Sequence, residues 1–277
     1  MISVALCTYN GEKYIEEQLN SILYQTLPVD EIVICDDGSI DNTLEILNQY
    51  RNKDARIKVF SNIKNLGLVK NFEKAIRLTS GDFIFLSDQD DVWKEDKVEV
   101  MINFFQKKPD CLMLFTNGTL IDERNNCLGS TLWDKWGFNE EVKKSWLNNQ
   151  NAFLDLIKNY NKVTGATLAF KKELKTVILP ITVPRLYWHD TWIAINAAYL
   201  NGLYFLEENT INYRTHNKQQ IGINVDNQTV DRNSISETKF KKILTNRFPE
   251  FSKNVALIPG KKKLHKRIIK KIKNIFR

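Results

Sequence analysis

The chain of 277 residues predicts an α/β fold: a Rossmann-like, mixed and mostly parallel sheet flanked by helices, followed by a basic helical C-terminal extension. Three observations lead there. Short apolar runs alternate with stretches whose apolar residues recur at helical spacing, in the order βαβαβαβ. The hydrophobic fraction of 43% and charged fraction of 26% are those of an ordinary globular chain, which excludes disorder, collagen and coiled coil. No run approaches the roughly 18 apolar residues of a membrane-spanning helix.

The elements follow in order. Ile2–Thr8 reads as a buried strand, and Ile15, Leu19, Ile22 and Leu23 share one helical face. Glu31–Cys35 is the second strand, with Leu44, Leu47 and Tyr50 marking the next helix. Ile57–Ser61 is the third strand, and the helix from about Val69 to Leu78 is broken by Gly81 before strand Phe83–Ser87. A helix is expected from about Lys94, with Asp91 ahead of it. Cys111–Thr116 and Val163–Phe170 read as strands around a single helix from Ser145 to Tyr160. Asp190–Leu200 is helix-like, and Leu203–Leu206 is a short strand. With no linker or repeat, residues 1–224 are expected to form one domain with halves at about 1–110 and 111–224. Residues 225–277 form a loop and a basic amphipathic extension.

The formal charge of +7 is confined to one place. Lys261–Arg277 holds nine Lys or Arg and no acid, leaving 31 basic against 33 acidic side chains in residues 1–260. A nucleic-acid-binding body carries its basic residues across a face, so no nucleic acid is expected as partner. Cys7, Cys35, Cys111 and Cys127 form no CxxC pair and read as reduced thiols. Met1 leads into a strand rather than a signal peptide, so a cytoplasmic location is expected.

In a parallel sheet, ligands bind at the carboxyl ends of the strands. There the sequence places Thr8-Tyr9-Asn10-Gly11-Glu12, Asp36-Asp37-Gly38-Ser39, Asn65-Leu66-Gly67 and Asp88-Gln89-Asp90-Asp91. Clustered carboxylates raise one another's pKa, and a divalent cation relieves that cost. Asp88, Asp90 and Asp91 offer the hard oxygens that suit Mg²⁺ or Mn²⁺. A solvated turn with Asp91 as a helix N-cap is the alternative. No G-x-G-x-x-G follows a strand and no P-loop occurs, which argues against a dinucleotide dehydrogenase or P-loop enzyme.

These four motifs, in this order and spacing, resemble the family 2 glycosyltransferases, which have the GT-A fold. Within that family, Ser87-Asp88-Gln89-Asp90-Asp91-Val92-Trp93, Trp188-His189-Asp190-Thr191-Trp192 and Tyr213-Arg214-Thr215-His216 look most like bacterial rhamnosyltransferases of surface-polysaccharide synthesis. The resemblance implies that Thr8, Tyr9 and Glu12 line the nucleotide site in the 1–110 half. Asp37 would reach the base, Asp36 support the loop, and Asn65 and Gly67 sit beside the nucleotide. Asp88 and Asp90 occupy the two acidic positions of a DxD-type motif, Asp90 the metal-binding one. Asp190 matches the general base, with His189 where the family usually has Glu. Thr164 and Gly165 would border the acceptor pocket.

Chemistry fits those roles. Sugar transfer builds charge on the departing diphosphate, which a metal stabilises, while one carboxylate takes the acceptor's proton and inverts the anomeric centre. Asp190 reads alternatively as an N-cap. Trp188 and Trp192 offer apolar faces to a sugar or pack in the core. His216 could complete the metal site and Arg214 meet the diphosphate. The implied donor is dTDP-L-rhamnose, or a UDP-hexose, and the acceptor a glycan or lipid-linked hydroxyl. Leu264, Ile268, Ile272, Ile275 and Phe276 give the tail an amphipathic pattern suited to the inner face of an anionic membrane. A solvated tail, and a non-catalytic sugar-binding module of the same fold, are the competing readings.

Overall fold

The computed structural model describes residues 1–159, 161–183, 187–217, 219, 242 and 246. Its first half runs β1 (Ile2–Thr8), α1 (Ile15–Leu23), β2 (Glu31–Asp36), α2 (Thr43–Lys53), β3 (Ile57–Ser61), α3 (Leu68–Leu78) and β4 (Phe83–Ser87). β5 (Val92–Trp93), α4 (Lys97–Lys107), β6 (Met113–Ile121), β7 (Cys127–Thr131), α5 (Leu132–Trp136), α6 (Glu140–Trp146) and α7 (Asn149–Lys158) follow. A 3-10 turn at Gly165–Thr167 precedes β8 (Leu168–Lys171), α8 (Lys172–Ile178), α9 (His189–Tyr199) and β9 (Leu203–Arg214).

The sheet order is β3-β2-β1-β4-β8-β6-β9-β5, with β7 paired to β6. β3, β2, β1 and β4 are mutually parallel. β8 is antiparallel to both β4 and β6, and β6 is parallel to β9. Two reversals restore the direction, so β1, β2, β3, β4, β6 and β9 all end at one edge of the sheet. β1 and β2 are buried along their whole length, which is why they read as continuous apolar runs rather than alternating ones. Helices cover the faces through residues such as Ile15, Leu19 and Ile22 of α1 and Phe72, Ala75 and Ile76 of α3.

Several expected boundaries are corrected. The helix expected from Lys94 starts at Lys97, because Val92 and Trp93 first pair with Asn212 and Ile211 of β9. Asp91 is therefore a buried residue ahead of a strand and not an N-cap. The single helix expected over 145–160 is two, since the Asn148 side chain accepts from the Gln150 amide and starts α7 afresh. The strand expected at Val163–Phe170 begins only at Leu168, after Thr164 has accepted the Thr167 amide and hydroxyl. The short strand Leu203–Leu206 extends to Arg214 because β6 offers it a full-length partner. α9 begins at His189 with Trp188 as its N-cap, so the capping alternative for Asp190 falls.

Cys7, Cys35, Cys111 and Cys127 are free thiols, the first three buried. Among the described residues no helix is long and apolar enough to cross a membrane. The basic tail lies outside the described residues.

Candidate nucleotide-sugar site

The strand-end loops hold one another in place through backbone amides. Gln89 clasps the loop after β1, its Oε1 accepting from Tyr9 N at 2.7 Å and its Nε2 donating to Tyr9 O at 3.1 Å. A Cβ on Gly11 would collide with that same Gln89 amide and push it away from Tyr9. Asp36 is fully buried and accepts from Thr8 Oγ1, Ser39 Oγ and the amides of Gly38 and Ser39, as a loop support should. Exposed Glu12 accepts from the amide and side chain of Asn42, ahead of α2. Asp37, expected at the base, is only 4% exposed. Its carboxylate accepts from Asn62 and from the Leu66 and Gly67 amides, so in this structure it fixes the loop that carries Asn65 and Gly67. Gly67 takes φ 80°, which starts α3 after a turn that glycine alone adopts at little cost.

Next to these loops lies the acidic cluster. His216 Nε2 stands 2.9 Å from Asp90 Oδ2, across 126 positions of sequence. The parallel course of β6 and β9 explains the meeting, since it brings the end of β9 to the edge where β4 ends. Burial, then the charges of Asp90 and Asp190, push the Asp88 carboxyl up to about 7, with Lys97 opposing. Asp91 is pushed well above the ordinary range, by burial first and then by Asp90 and Asp88. One of its oxygens accepts from Arg214 N, and the other is buried without a partner.

Among the described residues no three or more His, Cys, Asp or Glu side chains converge as a complete metal cage. The donor set nevertheless fits Mg²⁺ or Mn²⁺, which accept few protein ligands and take substrate phosphates and water for the rest. Asp90 and His216 would hold the ion, and Asp88 would benefit from its charge.

Arg214, expected to meet the diphosphate, is 1% exposed and engaged by protein. Its guanidinium donates to Glu17 Oε2, Asn125 Oδ1 and the carbonyls of Asp90 and Asp122, and it lies 4.6 Å over the Tyr14 ring. This corrects the expectation of a phosphate ligand, because the guanidinium is buried and engaged by protein acceptors.

Asp190 lies in the first turn of α9, directly after His189. Burial raises its carboxyl to about 6 despite bonds from the Thr191 amide and hydroxyl. That value suits a base working near neutral pH. His189 is 3% exposed and stacks on Phe72 with ring centroids 3.9 Å apart. Neither ring nitrogen has a hydrogen-bond partner, and burial lowers its pKa to about 3, so it is neutral. A Cβ on Gly165 would stand 2.9 Å from His189 Nε2, so Gly165 lets the 3-10 turn close on the ring. Thr164 Oγ1 accepts from Trp136 Nε1 at 3.1 Å. Trp188 is half-buried. Trp192 is fully buried and donates to the Ile178 carbonyl, so the core reading holds and the acceptor-contact expectation is corrected.

Sequence reasoning missed Gln89, Glu17, Tyr14, Asn125, Lys97 and Trp136. Only Gln89 carried a signal, as the polar residue inside an acidic motif. Tyr14 and Glu17 follow the Thr8–Glu12 motif but carry no pattern beyond that of an amphipathic helix, and Lys97, Asn125 and Trp136 sit on elements distant in sequence.

A sequence profile of Glycosyl transferase family 2 matches residues 3–165. The chain is 29% identical over 232 residues to the dTDP-rhamnosyl transferase RfbG of Shigella flexneri, covering 79% of this chain and 74% of that one. It is 36% identical over 121 residues to the putative teichuronic acid biosynthesis glycosyltransferase TuaG of Bacillus subtilis, covering 44% and 48%. Among solved structures, S. aureus TarS 1–349 in complex with UDP-GlcNAc superposes with a TM-score of 0.59 at 24% identity, over 79% of this chain and 59% of that one. The mannosyltransferase PcManGT from Pyrobaculum calidifontis, in complex with GDP-Man and Mn²⁺, gives 0.54 at 16% identity, over 78% and 57%. At these identities the likeness to solved structures is one of fold, and the fold is GT-A-like. The match spans about half of TuaG and, at 33%, a third of an uncharacterised glycosyltransferase of Haemophilus influenzae. A profile match over more than half of its residues, on a fold of this kind, shows that the chain belongs to glycosyl transferase family 2.

Proposed function

We propose that this domain transfers a sugar, with inversion, from a nucleoside-diphosphate donor to a hydroxyl of a glycan or lipid-linked acceptor in bacterial surface-polysaccharide synthesis. The observation that carries the reading is the convergence, at one sheet edge, of the Asp90–His216 pair with an Asp190 carboxyl held near pKa 6. Thr8, Tyr9, Glu12, Asp36, Asp37, Asn65 and Gly67 form the nucleotide side, and Thr164, Gly165, Trp188 and His189 the acceptor side. Asp190 accepts the acceptor's proton as its oxygen attacks the anomeric carbon. The buried, neutral His189 ring stacked on Phe72 keeps that end of α9 in register. A bound Mg²⁺ or Mn²⁺ supplies the charge that stabilises the departing diphosphate. Asp88 and Asp90 on their own would repel the donor's diphosphate, and the charge of a bound cation would reverse that repulsion.

The match to RfbG supports dTDP-L-rhamnose as the donor. A UDP-hexose is the second reading, supported by the fold shared with a UDP-GlcNAc complex. The run Lys261–Arg277 supports attachment to an anionic membrane surface from the cytoplasmic side, where each basic residue is worth about 1 kcal/mol.

Calorimetric titration with dTDP, UDP and GDP, with and without Mn²⁺, tests the reading. Metal-dependent binding of one nucleotide, lost in Asp90→Ala, is expected. Folded protein that binds none of them in the presence of Mn²⁺ would refute a transferase.

A further inference from the structure

The end of β9 carries more than His216. Two residues earlier, Arg214 is buried and surrounded by groups from three separate parts of the chain. Its Nε donates to the Asp90 carbonyl at 2.8 Å and its backbone N to Asp91 Oδ1 at 3.0 Å. Its NH2 reaches Glu17 Oε2 of α1 at 2.6 Å, and its NH1 reaches Asn125 Oδ1 in the β6–β7 turn at 2.5 Å. The same Asn125 donates through Nδ2 to Glu17 Oε1 at 2.8 Å, which closes a triangle of three side chains. Asn125 holds φ 69°, a left-handed conformation that few non-glycine residues adopt, and the Asp122–Asn126 hydrogen bonds of the turn keep it there. Tyr14 covers the assembly, 4.6 Å from the guanidinium and 5.1 Å from the His216 ring.

We infer that Glu17, Asn125 and Arg214 are positioning residues: a clamp that fixes Asp90 and His216 in the spacing a divalent cation needs. The inference rests on the metal role given to Asp90 and His216 above. Groups that orient metal ligands matter nearly as much as the ligands, and changing one typically weakens metal binding about 10–100-fold. Glu17 also balances the buried guanidinium. Without it, the buried guanidinium two residues from His216 loses its ion-pair partner.

The test is Mn²⁺ affinity, read from the electron paramagnetic resonance signal of free Mn²⁺ in the presence of UDP or dTDP. Wild type is compared with Glu17→Ala, Asn125→Ala and Glu16→Ala. Glu16 lies on the same exposed first turn of α1, so its removal makes the same change in net charge and helix electrostatics without touching Arg214. The expected result is about 10–100-fold weaker Mn²⁺ binding in Glu17→Ala and weaker binding in Asn125→Ala, with Glu16→Ala unchanged. The Glu17 side chain is 42% exposed, so its truncation leaves the core intact, and a cooperative melt confirms a folded variant. Wild-type Mn²⁺ binding with Glu17→Ala equal to Glu16→Ala overturns the clamp alone. Wild type that binds no Mn²⁺ overturns the metal reading, and the clamp with it.

Discussion

Asp190 is the residue whose environment says most about its work. Its pKa stands at about 6 in the folded chain against 3.8 ordinarily, because burial disfavours the charged form. The folded state therefore holds a proton between those values that the unfolded chain has released, and stability falls as pH rises through that window. Asp190→Asn should melt higher than wild type at pH 7.5, with the difference shrinking toward pH 4; differential scanning fluorimetry across pH checks this. The same substitution should cut sugar transfer roughly 10²–10⁴-fold while Mn²⁺-dependent nucleotide binding stays intact. The wild-type transfer rate should rise as pH climbs through about 6 and then level off. Glu31 is the opposite case. Burial raises it, but bonds from Lys58, Ser3 and Ser80 outweigh burial and bring it to about 2. Its stabilisation is present above pH 4.5 and lost as pH falls toward 2. Glu31→Gln should cost roughly 2–3 kcal/mol at neutral pH and little in acid, measured by urea unfolding.

At the level of elements, the loops are built so that each is held by its neighbours. Gly11 admits Gln89, Gly165 admits the His189 ring, and Asp36 and Asp37 gather the amides of two loops. Gly165→Ala would place a methyl 2.9 Å from His189 Nε2, on a turn that precedes a central strand. A cost of about 1–3 kcal/mol is expected, with donor binding by calorimetry preserved, because the clash lies on the acceptor side. Much of this half was legible. Strands β1, β2 and β4 read correctly because burial on both faces leaves a nearly unbroken apolar run, while edge strand β3 shows through Ile57, Val59 and Phe60 despite exposed Lys58. Elements past residue 111 were read less well. β9 looked like four residues and is twelve, since Glu207-Glu208-Asn209 breaks the apolar run and the rest becomes a strand only by pairing with β6.

Over the whole molecule, Lys97 ties the two halves together. It is fully buried on α4, donates to the Ala166 carbonyl of the 3-10 turn at 2.6 Å, and lies 4.0 Å over the Trp93 ring. Burial lowers its pKa to about 7 while Asp91 and Asp88 resist the shift. Lys97→Met should cost about 1–3 kcal/mol by leaving a buried carbonyl without a donor. Adding Asp91→Asn should recover part of the loss, because Asp91 otherwise loses the nearby positive charge that opposes its burial; a double-mutant cycle in urea measures it.

The sequence by itself determined the α/β class, the sheet edge to inspect and the family, and it singled out Asp88, Asp90 and Asp190 as candidate carboxylates. All of these are local, since apolar period, strand ends and short motifs are properties of neighbouring residues. Only the tertiary structure decided that His216 meets Asp90, that Arg214 is enclosed rather than open to phosphate, and that Trp192 is core. Those facts depend on which strands lie side by side. The placement of β8 between β4 and β6, which turns the chain so that β9 ends beside β4's loop, is set by the packing of the whole sheet and leaves no mark at positions 90 or 214.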